Sequence, residues 1–160
     1  MKAAAVVDNT VLSNFAQVEQ ARWIAEAFEQ PVTVAAVMEE LKIGVEQRRI
    51  PDVDWSWLEV VDLTPAERAV ADELNRRLGR GEAECLAVAA KRGGLIVTDD
   101  RDARRTAQLL GVPVSGTLGV LMNVVHRQGI SVRDADEILS LMKRRGYRCP
   151  IGSLTELLEE

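Results

Sequence analysis

Three short stretches hold carboxylates that could act together. The apolar run Ala3-Ala4-Ala5-Val6-Val7 closes on Asp8, and Leu95-Ile96-Val97-Thr98 closes on Asp99 and Asp100. Runs of that length are too short for helices and read as strands buried on both faces. Two parallel strands that end in acids bring those acids to one sheet edge, where open α/β sheets keep their ligand crevice. Glu82 can reach that edge from the start of a small-residue helix opened by Gly79-Arg80-Gly81, with Glu84 two residues further on. Glu40, with Glu39 beside it, can reach it from the helix after the second strand. Carboxylates gathered this closely repel one another, which raises at least one pKa and strains the fold. A divalent cation relieves the repulsion, and all-oxygen ligands point to Mg²⁺ or Mn²⁺ rather than zinc. Such a site suits phosphodiester hydrolysis: the cation lowers the pKa of a water, positions it in line and stabilises the leaving oxygen.

The elements that must carry these acids alternate along the chain. After the turn at Asn9-Thr10, Val11 to Ala16 begins a helix, and Glu19 to Phe28 is helical by the spacing of Ala21, Ile24, Ala25 and Phe28. Pro31-Val32-Thr33 reads as a strand with proline at its first position. A stripe of Val34, Val37, Met38 and Leu41 predicts a helix to Ile43, ended by Gly44. Beyond the polar loop Gln47 to Asp54, Trp55 to Val61 alternates as a strand. Thr64-Pro65-Ala66-Glu67 combines a threonine cap, a first-turn proline and a capping-box glutamate, so a helix runs to Leu78. Ala83 to Lys91 is helical and Gly93-Gly94 stops it. A helix from about Asp102 to Leu110, the strand Val112-Pro113-Val114 and an apolar helix from Thr117 to Arg127 follow. Ser131 with Asp134, and Ser153 with Glu156, open the last two helices. This alternation predicts an α/β fold, a three-layer sandwich with a mostly parallel central sheet. It is read as a single domain over 1–160, with a core over about 3–129 and a C-terminal helical extension over about 130–160.

Composition sets outer limits. The 160 residues carry 47% apolar and 28% charged side chains, an ordinary soluble balance, with 20 basic and 25 acidic residues for a net charge of −5. That excludes a generally basic nucleic-acid sponge, but not an enzyme that meets phosphates through cations and a local arginine patch. No apolar run approaches the roughly 20 residues of a membrane helix, and no signal peptide is evident, so a cytoplasmic setting is expected. Cys85 and Cys149 have no partner at zinc-ligand spacing, and Cys85 reads as a small core side chain.

Four segments resemble the PIN-domain family: Val6-Val7-Asp8-Asn9-Thr10, Val37-Met38-Glu39-Glu40-Leu41, Gly81-Glu82-Ala83-Glu84-Cys85-Leu86-Ala87-Val88-Ala89, and Leu95-Ile96-Val97-Thr98-Asp99-Asp100. Together with Gly116-Thr117-Leu118-Gly119-Val120-Leu121, they are similar to the VapC-like toxin ribonuclease subgroup over Val6 to Leu121. The resemblance implies a Mg²⁺- or Mn²⁺-dependent endoribonuclease, the toxin of a type II toxin–antitoxin pair. Carried over by position, the catalytic acids are Asp8, Glu40, Glu82 and Asp100, with the metal held by Asp8, Glu82, Asp100 and Asp99. Toxin members usually have aspartate at the third place, where this chain has glutamate. Glu84 competes with Glu82, Asp99 with Asp100, and Glu39 with Glu40. Thr10 or Asn9 would support an acid or its water. The same resemblance implies an RNA substrate, a small antitoxin partner and a homodimer.

Each acid also has a plain structural reading, as a turn or helix cap or a solvated charge, and it is the set in order that favours chemistry. Arg101, Arg104 and Arg105 follow the acidic strand end and could bind RNA phosphates, or line a solvated helix face. Lys143-Arg144-Arg145 and Arg148 read as helix C-terminal charges, as does His126. Trp23, Trp55 and Trp57 read as core or subunit-contact side chains. The alternative to an enzyme is a non-catalytic RNA-binding or scaffold PIN domain, its site weakened by glutamate at position 82.

Overall fold

The computed structural model describes residues 3–158; residues 1–2 and 159–160, which the expected domain and its C-terminal extension include, lie outside the described residues. Five strands form one sheet: β1 (Ala5–Val7), β2 (Pro31–Val34), β3 (Glu59–Val61), β4 (Leu95–Val97) and β5 (Val114–Ser115). Their order across the sheet is β3-β2-β1-β4-β5, and every pairing is parallel. The order reverses between β1 and β4, which makes that boundary the place where the strand ends open a crevice. Val7 pairs with Val97, so Asp8 and Thr98 leave the sheet side by side. Consecutive β1 residues Ala5, Val6 and Val7 are all buried, so helices must cover both faces.

Between the strands lie α1 (Asn9–Gln17), α2 (Trp23–Ala27), α3 (Ala35–Glu46), α4 (Pro65–Leu74), α5 (Arg80–Arg92) and α6 (Arg101–Leu109), followed by α7 (Thr117–Gln128), α8 (Val132–Arg144) and α9 (Thr155–Leu158). The small side chains of α5 let it lie against β1, β2 and β4 while touching α3, α4 and α6; α2 rests on α7, which also meets α8. The capping box at Thr64 and Glu67 forms, and Gly93 ends α5 with φ +65°. Ser131 caps α8 by accepting from the Asp134 amide.

Several expected boundaries move, each for a local reason. The helix expected from Glu19 starts only at Trp23, because Glu19 adopts φ +56° and turns the chain. Gly44 does not end α3; it lies inside it, and a Cβ there would stand 2.5 Å from Ile50 Cδ1. Its place is fixed by the close return of the following loop. The strand expected over Trp55 to Val61 shrinks to Glu59–Val61, since Trp55 and Trp57 fold into a turn with ring centroids 6.0 Å apart. β5 shifts to Val114–Ser115.

Candidate active site

Asp8 follows directly on β1 and is 1% exposed. Its Oδ1 accepts from the Asn9 amide (2.7 Å), and its Oδ2 accepts from Thr98 Oγ1 (2.8 Å) and Thr10 Oγ1 (3.2 Å). Each threonine hydroxyl is also an acceptor: Thr98 Oγ1 takes the Asp100 amide and Thr10 Oγ1 the Asp99 amide. Two hydroxyls thereby fasten the end of β1 to the end of β4. Burial raises the Asp8 pKa, and its Thr98, Asn9 and Thr10 donors offset only part of that, while the Asp100 charge adds to it.

Glu82, in the first turn of α5, is pushed up to about 7 by burial, then by the charges of Asp8 and Asp100, against a Gly79 backbone bond; Glu40 adds to the repulsion. Glu40, on α3, is raised by burial and by Asp8, opposed by the Gly81 amide and the Asn9 side chain. Asp8, Glu40, Glu82 and Asp100 therefore feel one another as like charges at the crevice over β1 and β4. Two glycines make room. A Cβ on Gly79 would stand 2.6 Å from Glu82 Oε2, and one on Gly81 would collide with Glu40 Oε1. Asp100 also caps α6, accepting from the Ala103 amide at 2.8 Å.

The rival acids face elsewhere. Glu84 is buried against α4, with Oε1 2.8 Å from Arg68 Nη1 and Oε2 3.6 Å from Arg80 Nε. Glu39 is exposed and 3.9 Å from Arg80. Asp99, one of the expected metal ligands, has both carboxylate oxygens engaged by the fold. Its Oδ1 accepts from the Thr117 amide, and its Oδ2 from Thr117 Oγ1 and Asn14 Nδ2. With three donors satisfied, it ties β4 to α7 and α1. Of the arginines expected to meet RNA, Arg104 is spent on the fold, donating from Nη1 to the carbonyls of Thr98 (2.8 Å) and Ser115 (3.2 Å). Arg101 and Arg105 are exposed beside a cleft of about 680 Å³. Sequence reasoning missed Thr98 as a holder of Asp8, although the Thr98-x-Asp100 spacing marks it. It also missed Asn14, which no local signal singles out, and Thr117, although the family-like segment Gly116 to Leu121 contains it. Arg148 lies beyond the end of α8 and lines the same cleft rather than capping that helix. Cys85 is fully buried and donates to the Val7 carbonyl, as a core side chain.

Among the described residues, no group of three or more His, Cys, Asp or Glu side chains is drawn together tightly enough to grip a metal ion. The acid edge nonetheless fits a hard cation by donor chemistry. Its groups are all carboxylates, one is buried, and their ionisation is opposed by their own proximity. No helix among the described residues is long and apolar enough to cross a membrane.

Residues 4–160 match the family described as PIN domain, DUF3368. The chain belongs to the PIN-domain family, whose members are generally nucleases, typically dependent on divalent metals. The crystal structure of PAE2754 from Pyrobaculum aerophilum is similar in fold, with a TM-score of 0.53 and 19% identity, over 81% of this chain and 100% of that one. No curated protein matches.

Proposed function

We propose that this protein is a metal-dependent endoribonuclease in which Asp8, Glu40, Glu82 and Asp100 form the catalytic edge. Membership of a nuclease-type family supports a nucleic-acid substrate. The observation that carries the reading is the mutual repulsion of Glu82, Asp8 and Asp100 at the switch point of a parallel sheet. Natural proteins seldom keep such strain where nothing uses it. Asp8, Glu82 and Asp100 would hold Mg²⁺ or Mn²⁺, which supplies charge stabilisation and a more acidic water at a phosphodiester. Glu40 lies beside them as a further acid, and with its raised pKa it can take up a proton. Thr98 and Thr10 orient Asp8, and Asn9 steadies Glu40.

In the fuller form of this reading the enzyme is the toxin of a toxin–antitoxin pair, works as a homodimer in the cytoplasm, and is restrained by a small antitoxin over the crevice. The test is cleavage of labelled single-stranded RNA with Mn²⁺, with chelator, and by Asp8→Asn. Metal-dependent cleavage lost in Asp8→Asn supports the reading. Cleavage that survives both chelator and the substitution overturns it, and RNA binding without any cleavage favours the scaffold alternative.

A further inference from the structure

The cleft beside the acid edge has a character of its own. It opens between α6, β5 and the start of α7, and the segment after α8 closes it with Tyr147, Arg148 and Pro150. Arg101, Arg104, Arg105 and Arg148 line it against a single acid, Asp99. In a chain of net charge −5, four positive charges to one negative is a strong local reversal. The acid is also spoken for, since its oxygens already accept from Thr117 and Asn14. Arg104 is pinned to two backbone carbonyls, which sets a fixed charge in the wall. Arg101, Arg105 and Arg148 are exposed and have no carboxylate within ion-pair distance among the described residues, whereas Arg68, Arg80 and Arg92 all do. Val114, Leu118 and the Tyr147 ring give the cleft an apolar side.

We propose that this cleft is a strand-holding subsite that grips a backbone phosphate of single-stranded RNA whose neighbouring phosphodiester lies on the acid edge. The inference rests on the nuclease reading and adds how the substrate is held. Free guanidinium groups suit phosphate oxygens, which they meet in pairs of hydrogen bonds. A volume of about 680 Å³ accommodates a nucleotide-sized ligand rather than an ion alone. Tyr147 offers a ring face to a base, and its hydroxyl stays protonated, because burial and then Asp99 raise its pKa. Asp99 and Asp100 are consecutive residues facing the two sites, so a strand crossing the end of β4 passes from one to the other.

The test is fluorescence anisotropy of the full chain with short labelled single-stranded RNA in chelator, so that no bond is cut. Arg101→Gln/Arg105→Gln/Arg148→Gln is expected to weaken binding at least about tenfold and to reduce the salt slope by roughly 0.7, the value for one phosphate contact on a single strand. Arg76→Gln/Arg133→Gln/Arg144→Gln removes the same charge elsewhere and is expected to change neither by as much. Equal effects of the two triple variants, or none from the cleft variant, would overturn the proposal. Displacement of RNA by inorganic phosphate at equal phosphate concentration would also overturn it, in favour of a free-anion site. The two readings fail separately. RNA held by the cleft on a protein that never cleaves sinks only the nuclease reading. Metal-dependent cleavage indifferent to the cleft variant sinks only the cleft.

Discussion

Two neighbouring regions at the strand ends carry opposite charge and solve opposite problems. Over β1 and β4, one buried and two half-buried carboxylates have pKa values raised by burial and by neighbouring like charge. Over β4 and β5, Arg101, Arg105 and Arg148 stand exposed around a cleft, with no ion pair among the described residues. The boundary between them falls within one dipeptide. Asp100 belongs to the first region electrically, whereas Asp99 is absorbed by Thr117 and Asn14 in the second. Successive side chains leave extended backbone on opposite sides, so adjacent aspartates need not share a duty. A modest net charge thus conceals two strong local fields, and the division between them is what mutation can probe.

The largest expected effect is on catalysis. Asp8→Asn and Asp100→Asn should each lower single-turnover cleavage by about a thousandfold or more. Thermal melting should stay level or rise, because Asp8→Asn removes a buried charge and asparagine at position 100 can still cap α6. A drop in melting temperature that matches the loss of activity would erase the distinction drawn for Asp100. Asp99→Ala should reverse the pattern. It orphans Thr117 and Asn14 and costs about 1–3 kcal/mol of stability, read by denaturant titration. If it instead abolished cleavage with stability intact, Asp99 would belong to the acid edge after all.

Mn²⁺ at a hundred times its dissociation constant should stabilise the wild type by about 2.7 kcal/mol, seen as a higher melting temperature, and should fail to do so for Asp8→Asn. The smallest effect concerns pH. The Glu82 carboxyl has an ordinary pKa of 4.5 that rises to about 7 in the fold. Between those values the folded protein holds the proton that the unfolded chain has released, so metal-free stability should fall as pH rises from 4.5 to 7. With solvent screening at this half-buried group its share of the change should be about 1 kcal/mol, and Glu82→Gln should remove that share, leaving the part carried by Asp8 and Glu40. Glu67 supplies the contrasting sign. Its Arg92 partner lowers its pKa, so that pair stabilises above 4.5 and is lost on acidification.

The parallel sheet and the order of its elements were legible because short apolar runs, capping boxes and C-terminal glycines are local signals. Long-range contacts decided the rest. Gly44 carries the signature of a helix stop, yet Ile50 packs against it and the helix continues. Trp55 to Val61 alternates like a strand, yet the tryptophan pair folds back before pairing begins. The resemblance could name Asp8, Glu40, Glu82 and Asp100, while the place of the rival Glu84 depended on Arg68, which lies on a different helix. Arg148 could not be assigned to the cleft from sequence, because only the path of the chain after α8 brings it there.

Gly81 has a consequence for reading related chains. The space above its Cα is filled by the Glu40 carboxylate, the movable tip of a flexible side chain, with the buried Val37 Cγ2 at 3.2 Å beside it. Alanine at that position would suit helix α5 better than glycine does, and it would push the Glu40 carboxylate outward while Val37 gives way by a few tenths of an ångström. One added methyl would then leave every acid present in the text of the gene and a sturdy protein in the tube, with the constellation dispersed. A census of carboxylates would pass that protein unchanged, and only the methyl standing where glycine has hydrogen would reveal that Glu40 had left the edge.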